Sequence, residues 1–396
     1  MRRPTMRHVW TLTLAQALAA CGTIMLVTFG GIVGARLAPS PALATLPWSL
    51  SIVGLAAASI PAALLMQRHG RRRVLIASAL FGCVAALACA FSISQGSFIG
   101  LCLSASLFGV HASVVQQYRF AATELVSQDA GAEATGKAVA TVMLGTLAAA
   151  ILGPLLGQQT RLWGGWPEYT GSFLALAVLL AGAASVLMRL PATPPPPKAD
   201  RGSGRSARQL LSIPGYRLAV LAALSSYAVM SFIMTATPIS MHVHDHHSGA
   251  ITSGVITAHL LGMYLPSLAT PWLVARLGVR GLMLGGLAAN FACVGIVAAV
   301  GEGVTHYFVA LVLLGIGWNL LFVGATTLLA GTFSDNERFR AQGTNDFIVF
   351  GAQAVVSLLA GVAIEALGWR TLNLVTLPLL LWTLWAVMRR DLPPAR

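Results

Sequence analysis

Apolar runs of about twenty residues recur along the chain, near 9–34, 46–66, 73–91, 98–118, 137–158 and 169–188. A second set follows near 215–239, 251–275, 281–300, 304–330, 343–366 and 371–388. At ~1.5 Å of rise per residue, each run is long enough to cross the roughly 30 Å hydrocarbon core of a bilayer as an α-helix. Between the sets lies 189–214, where Pro194, Pro195, Pro196 and Pro197 precede Lys198, Arg201, Arg205 and Arg208. That stretch has no apolar face to bury and reads as a solvated linker. The pattern predicts an all-α membrane protein: an N-terminal six-helix bundle over 1–188, a linker over 189–214 and a C-terminal six-helix bundle over 215–396.

Charge then orients the spans. Of the 25 Lys and Arg, all but Arg36, Arg161 and Arg370 fall in the termini, the linker and alternate loops that share one side. Basic residues collect on the cytoplasmic side of membrane proteins, so both termini and the linker are expected in the cytoplasm. The formal net charge of +13 is therefore a topology signal and not a nucleic-acid surface. The five cysteines, Cys21, Cys83, Cys89, Cys102 and Cys293, all sit inside apolar runs, which implies no disulfide framework. The apolar run after the basic start Met1-Arg2-Arg3 to Arg7 is too long for the core of a signal peptide, so it reads as the first crossing. No cofactor loop, nucleophile triad or paired carboxylate site appears, which argues against an enzyme.

The two halves echo each other. Gln67-Arg68-His69-Gly70-Arg71-Arg72 follows the second span, and Ala275-Arg276-Leu277-Gly278-Val279-Arg280 follows the eighth. With the six-plus-six layout, this resembles the major facilitator superfamily, whose second loop carries an acidic-Arg-x-Gly-Arg-Arg pattern. Gln67 and Ala275 stand where that pattern has its acidic residue, which puts the family's loop charge relay in question here. The resemblance implies a monomer of two pseudo-symmetric bundles that rock about a midplane site, with spans 1, 4, 7 and 10 lining a cavity.

Several intramembrane side chains ask for a reason. Met230 and Met234 stand four apart on span 7, as do His259 and Met263 on span 8, so each pair shares a helix face. Helical rise sets Met234 ~7 Å, Met230 ~13 Å, His259 ~12 Å and Met263 ~18 Å below the outer helix ends. The intervening loop holds Met241, His242, His244, His246 and His247, a candidate outer collector. Thioethers with imidazole suit Cu(I), whereas harder ions need oxygen ligands. Met pairs are also ordinary packing groups, and a lone intramembrane His is often a hydrogen-bonded anchor. Both readings stand at this level.

The Met-x-x-x-Met and His-x-x-x-Met motifs in a twelve-helix protein resemble the CcoA-type copper importers. Those supply copper for cbb-type cytochrome oxidase assembly, and close relatives are associated with riboflavin uptake. The resemblance implies Met230, Met234, His259 and Met263 as ligands of a copper ion carried as substrate, with no resident cofactor, in the inner membrane of a bacterium. The alternative is an organic micronutrient such as riboflavin, for which Tyr227, His111, Gln116 and Trp318 matter more than sulfur. A third reading, drug or metabolite export, draws on Gly153-Pro154-Leu155-Leu156-Gly157, which a kink and close packing also explain. His111 and Gln116, with Gln117, Tyr118 and Arg119, form a polar end of span 4 expected to face the cavity. Asp346 and Glu365 flank span 11, expected near its ends, with Asp346 a candidate proton-linked group.

Overall fold

In the computed structural model every apolar run is helical, and the described residues are 6–40, 43, 46–126, 131–191, 204–300 and 303–389. No strand occurs among them. The first half contains α1 (Met6–Leu37), α2 (Leu46–His69), α3 (Arg71–Ser94), α4 (Phe98–Gln116), α5 (Tyr118–Glu124), α6 (Gly131–Thr160) and α7 (Thr170–Leu187). A short α8 (Ala207–Ser212) ends the linker. The second half contains α9 (Pro214–Pro238), α10 (Gly249–Tyr264), α11 (Thr270–Val300), α12 (Val304–Ala330), α13 (Arg338–Leu374) and α14 (Leu377–Met388).

Twelve crossings follow once the breaks are read. Gly278 (φ 67°, ψ 176°) interrupts α11, and Gly368 (φ 71°, ψ 169°) interrupts α13. These are left-handed backbone values that glycine adopts without a Cβ clash. The eighth crossing therefore runs from α10 to Gly278, and the ninth from there to Val300. Likewise α13 holds the eleventh crossing and the start of the twelfth, which α14 completes. α4 and α5 form one crossing with a break at Gln117. Apolar side chains such as Phe91, Ile99, Val178 and Val362 stand exposed on the outer faces. In water they would oppose folding; in hydrocarbon they are solvated.

The chain divides into two compact units. Unit 1 holds 1–126, 141–205 and 334–351; unit 2 holds 127–140, 206–333 and 352–396. Within unit 1, α2 packs along α4, and α7 along α3 and α1. The Thr13 hydroxyl reaches the Thr141 carbonyl (3.2 Å) and the Gln16 amide donates to Thr146 Oγ1 (2.9 Å), tying α1 to α6. The first turns of α13 join the same unit, with Gly343 seated against Ala63. Within unit 2, α12 is the hub: α9, α10 and α11 all pack along it. Val139 of α6 joins Val274, Leu282 and Val323 in a buried cluster there.

Glycine seams repeat in register. A Cβ on Gly109 of α4 would collide with the Ser51 carbonyl of α2, and one on Gly54 with the Ser106 carbonyl. In unit 2 a Cβ on Gly315 of α12 would lie 2.5 Å from the His259 carbonyl of α10, and one on Gly262 2.8 Å from the Val312 carbonyl. The spacing from Gly54 to Gly70 equals that from Gly262 to Gly278, so the echo seen in the loops extends to the helix contacts. Small residues let helices approach this closely where lipid supplies no hydrophobic drive for association. His259 and Ser51 thus hold equivalent places in the two seams.

Candidate functional site

Among the described residues, polar side chains gather in each unit where a crossing departs from regular α-helix, at Leu265–Leu268 in unit 2 and at Gln117 in unit 1. In unit 2 the break falls at Leu265–Leu268, where α10 tightens into a 3-10 turn around Pro266. Asn319 of α12 spans it: its Nδ2 donates to the Met263 carbonyl (2.6 Å) and to Ser267 Oγ (2.9 Å). The neighbouring Trp318 stacks on Phe322 one turn along (5.2 Å, 22°). Tyr227 of α9 meets both rings edge-on (5.3 and 4.9 Å), and Tyr264 of α10 meets Trp318 edge-on (5.7 Å). Ser226 Oγ donates to the Trp318 carbonyl (3.0 Å), fixing α9 to α12. The indole Nε1 of Trp318 and Oδ1 of Asn319 are buried and have no hydrogen-bond partner among the described residues.

The four residues of the two sulfur motifs lie in the same unit. Met230, Met263 and His259 are buried and Met234 is half-buried. His259 Nδ1 donates to the Leu311 carbonyl of α12 (2.8 Å), and its Nε2 has no partner among the described residues. The Met pair rides on α9 and the His–Met pair on α10, and the principal neighbour of both helices is α12. Among the described residues no group of three or more His, Cys, Asp or Glu could hold a metal.

The loop that follows α9 is part buried and part exposed. Residues Ile239–His244 continue α9 as one wide π turn, which buries Met241 completely. Tyr307 bridges Ser240 Oγ (2.6 Å) and Asp245 Oδ2 (2.7 Å), and the half-buried His247 meets the Tyr307 ring edge-on. His246 is exposed at φ 54°. The side chains of His242 and His244 lie outside the described residues.

In unit 1 the corresponding place is Gln117, a single turn residue between α4 and α5. There the Asp346 carboxylate of α13 accepts from Arg119, from Gln117 Nε2 (2.6 Å) and from Asn345 Nδ2 (2.9 Å). Both ends of the ion pair are 1 % exposed, so their charges depend on each other. Asp346 lies deep in the fold, not at a solvated helix end as its position in the run suggests, because Arg119 and two amides compensate its burial. Glu365 is exposed. His111 packs against α3: Nδ1 donates to the Ser78 carbonyl (2.8 Å), Gly82 leaves the ring room, and Nε2 is buried with no partner among the described residues. Gln116 is half-buried.

Gln67 is half-buried, and the loop arginine finds its carboxylate elsewhere. Arg71 forms two bonds to Glu124 (3.0 and 2.5 Å) and one to Gln342 Oε1 (2.9 Å). Glu124, Gln342, Asn345, Asn319, Tyr264 and Phe322 escape sequence reasoning. The signal for the two asparagines was available, since an amide inside an apolar run is costly unless bonded.

The described end of the linker is clamped and not free in solvent. Arg205 donates to Glu337 through Nε (2.7 Å), Nη2 (2.6 Å) and its backbone N–H (2.8 Å). Ser334 adds its N–H (3.1 Å) and hydroxyl (2.8 Å), and Arg340 returns a bond to the Arg205 carbonyl (2.9 Å). Gly204 (φ 92°) presses so closely on Glu337 that a Cβ would lie 2.6 Å from its Cγ. The Arg205 guanidinium, with these N–H and O–H donors, holds the Glu337 carboxyl well below the usual carboxylate range. A depressed folded pKa gives stability that is present above the unfolded value of about 4.3 and lost only on acidification below it. The clamp is therefore expected to hold unchanged from about pH 5 to 8. Glu337→Gln should release it, read as faster hydrogen exchange over 204–212; unchanged protection would count against the clamp.

A twelve-crossing chain with a glycine-seamed internal repeat has the layout of a membrane transporter. The chain belongs to the Major Facilitator Superfamily, whose family model matches residues 12–300 and 219–396. It is a membrane transporter and not an enzyme, and proteins of this family work without a resident cofactor. It is 40 % identical over 389 residues to the riboflavin transporter RfnT of Brucella anthropi, covering 98 % of this chain and 96 % of that one. It is 28 % identical to the uncharacterized MFS-type transporter YdeG of Bacillus subtilis, covering 95 % and 92 %. Among solved structures it is similar to the human organic anion transporter MFSD10 (TM-score 0.80, 16 % identity, 98 % of this chain and 100 % of that one). A bacterial homologue of the iron transporter ferroportin, in its outward-facing state, follows with TM-score 0.74, 15 % identity and coverage of 96 % and 98 %. At these identities the two structures establish the fold alone.

Proposed function

We propose that this protein takes up riboflavin, or a closely related flavin, across the inner membrane of a bacterium, with both termini in the cytoplasm. The observation that carries the reading is the four-ring cluster of Tyr227, Tyr264, Trp318 and Phe322 around the break in the eighth crossing. A flavin presents a flat tricyclic face, and aromatic neighbours add about 0.5–1.5 kcal/mol per ring pair beyond the burial of area. The flavin-transporting relative, alike over nearly the whole chain, supports the same substrate class. Asp346 is the candidate carrier of a coupling proton: it is buried within a crossing against Arg119, with Gln117 and Asn345 as its other neighbours.

Copper uptake is the second reading, and one observation favours it. His259 donates Nδ1–H to a backbone carbonyl while its Nε2 lacks a partner among the described residues, the arrangement that orients a metal-binding imidazole. Under this reading Met230, Met234 and Met263 supply thioethers, and the copper would serve cbb-type oxidase assembly.

Labelled riboflavin uptake, in riboflavin-auxotrophic cells that lack an importer, separates the readings when run beside radioactive copper uptake. The expected result is saturable flavin accumulation that survives Met230→Leu, a volume-conserving change. Copper accumulation that is lost in Met230→Leu and His259→Ala, with no flavin uptake by the parent protein, would reverse the order.

A further inference from the structure

We propose that Leu265–Leu268 is a hinge in the eighth crossing and that Thr270–Leu277 is the arm it swings during transport. Asn319 is the latch that has to open first. The device lies within unit 2 and does not depend on which substrate is carried.

The crossing changes character at this turn. On the near side α10 is fastened to α12 backbone against backbone. A Cβ on Gly262 would lie 2.8 Å from the Val312 carbonyl, and one on Gly315 would lie 2.5 Å from the His259 carbonyl and 2.8 Å from the Met263 nitrogen. His259 adds its bond to the Leu311 carbonyl (2.8 Å), and within 259–264 every residue but Leu261 is buried. On the far side the buried positions thin to Ser267, Thr270 and Val274, while Leu268, Trp272, Ala275, Arg276 and Leu277 stand exposed. The spacing of those three puts them on one helix face. Val274 packs there with Val139 at the start of α6, Leu282 and Val323.

The turn between the two sides is built to bend. Pro266 has no N–H, so it cannot bond the Gly262 carbonyl one turn back as a regular helix requires. The chain tightens into a 3-10 turn instead, in which the Ala269 N–H reaches the Pro266 carbonyl (2.9 Å). A 3-10 stretch within a long helix is a recurrent point of bending, because its hydrogen-bond geometry is poorer than that of the α-helix on either side. The arm ends at Gly278, whose φ of 67° provides a second joint. Short irregular stretches that absorb dihedral change between rigid pieces are the usual form of a hinge.

Asn319 holds the first joint shut from α12. Its Nδ2 donates to the Met263 carbonyl on the fastened side (2.6 Å) and to Ser267 Oγ on the side of the arm (2.9 Å). Swinging the arm carries Ser267 away from Asn319, whereas Met263 stays in its seam. Asn319 is 0 % exposed, so no water stands ready to replace the lost bond, and its loss sets the threshold for opening.

Hydrogen exchange of the purified full-length protein in detergent, read peptide by peptide over 251–278, tests the device. Asn319→Ala should speed exchange over 265–277 about tenfold, the worth of one or two buried hydrogen bonds, and leave 255–263 as in the parent protein. Ser267→Ala removes the acceptor on the arm and keeps the bond to Met263, so it should give part of that effect. Pro266→Ala restores the missing N–H and should act in the opposite direction, slowing exchange over 265–277 about tenfold or more. In riboflavin-auxotrophic cells it should also lower the maximal rate of labelled riboflavin uptake at unchanged KM. Pro266→Ala favours the helix, so its outcome can be read even where Asn319→Ala fails to fold. Exchange in Asn319→Ala that is unchanged, or raised evenly over 251–277, would overturn the latch, and unchanged exchange in Pro266→Ala would overturn the hinge. A parental maximal rate in Pro266→Ala despite slowed exchange would remove the hinge from the transport cycle. No labelled riboflavin uptake by the parent protein would instead remove the flavin reading and leave the exchange result to decide the hinge.

Discussion

Arg119→Gln alone should cost about 3–5 kcal/mol of stability, because it leaves Asp346 as an uncompensated charge in the membrane interior. Asp346→Asn alone should be comparably harmful, stranding the arginine. Both side chains are 1 % exposed, so neither charge has water to fall back on. The double variant Arg119→Gln/Asp346→Asn removes both charges and keeps amides that can bond Gln117 and Asn345. It should recover most of the lost stability, since breaking a buried pair costs far more than replacing it whole. The measurement is the thermal midpoint of purified protein in detergent, read as a double-mutant cycle. Additive losses would mean the two groups do not sense each other. Recovery of stability should not restore pH-driven uptake, because the neutral pair has no group left to carry a proton. Recovery of both would make the pair purely structural.

Gly109→Val and Gly315→Val should each prevent accumulation of folded protein, while Gly361→Ala should be silent or slightly stabilising. The physical ground is where a new Cβ would go. At Gly109 it would collide with the Ser51 carbonyl, and at Gly315 it would lie 2.5 Å from the His259 carbonyl; at Gly361 nothing stands within 4 Å. The obstacle in the first two cases is backbone on the partner helix, which can yield only by moving the whole helix. Overpacking typically costs about 1–3 kcal/mol even where side chains can adjust, so rigid seams should exceed that range. A Gly→Ala change at an open helical site instead gains up to about 1 kcal/mol of helix propensity. Membrane abundance of tagged variants, followed by thermal stability in detergent, checks all three. Normal abundance of Gly315→Val would show that α10 and α12 can separate, and would free His259 from its seam.

The seam also bears on how the His-x-x-x-Met motif reads. The backbone of His259 and Met263 receives Gly315, as that of Ser51 and Leu55 receives Gly109 in the first half. The place in the fold is therefore common to both halves. What differs between the halves is the side chain put there, Ser51 in the first and His259 in the second, and His259 spends its Nδ1–H on the Leu311 carbonyl.

Twelve crossings, the loop glycines Gly70 and Gly278 and the alternation of basic loops were all legible along the chain. Hydrophobic length, loop charge and glycine punctuation are local properties, and the bilayer acts on them segment by segment. The direction in which each polar side chain turns was not legible. A helix in lipid is apolar on every face, so it lacks the stripe that reveals rotation in a soluble helix. Only the packed structure turned His111 onto Ser78, brought Arg205 to Glu337, and surrounded Asp346 with Arg119 and Gln117. It likewise drew Tyr227 and Tyr264 from separate helices to Trp318, making one aromatic site of residues that sit in three different runs. Such meetings depend on long-range contacts between helices, which no local pattern of hydrophobic and polar residues encodes.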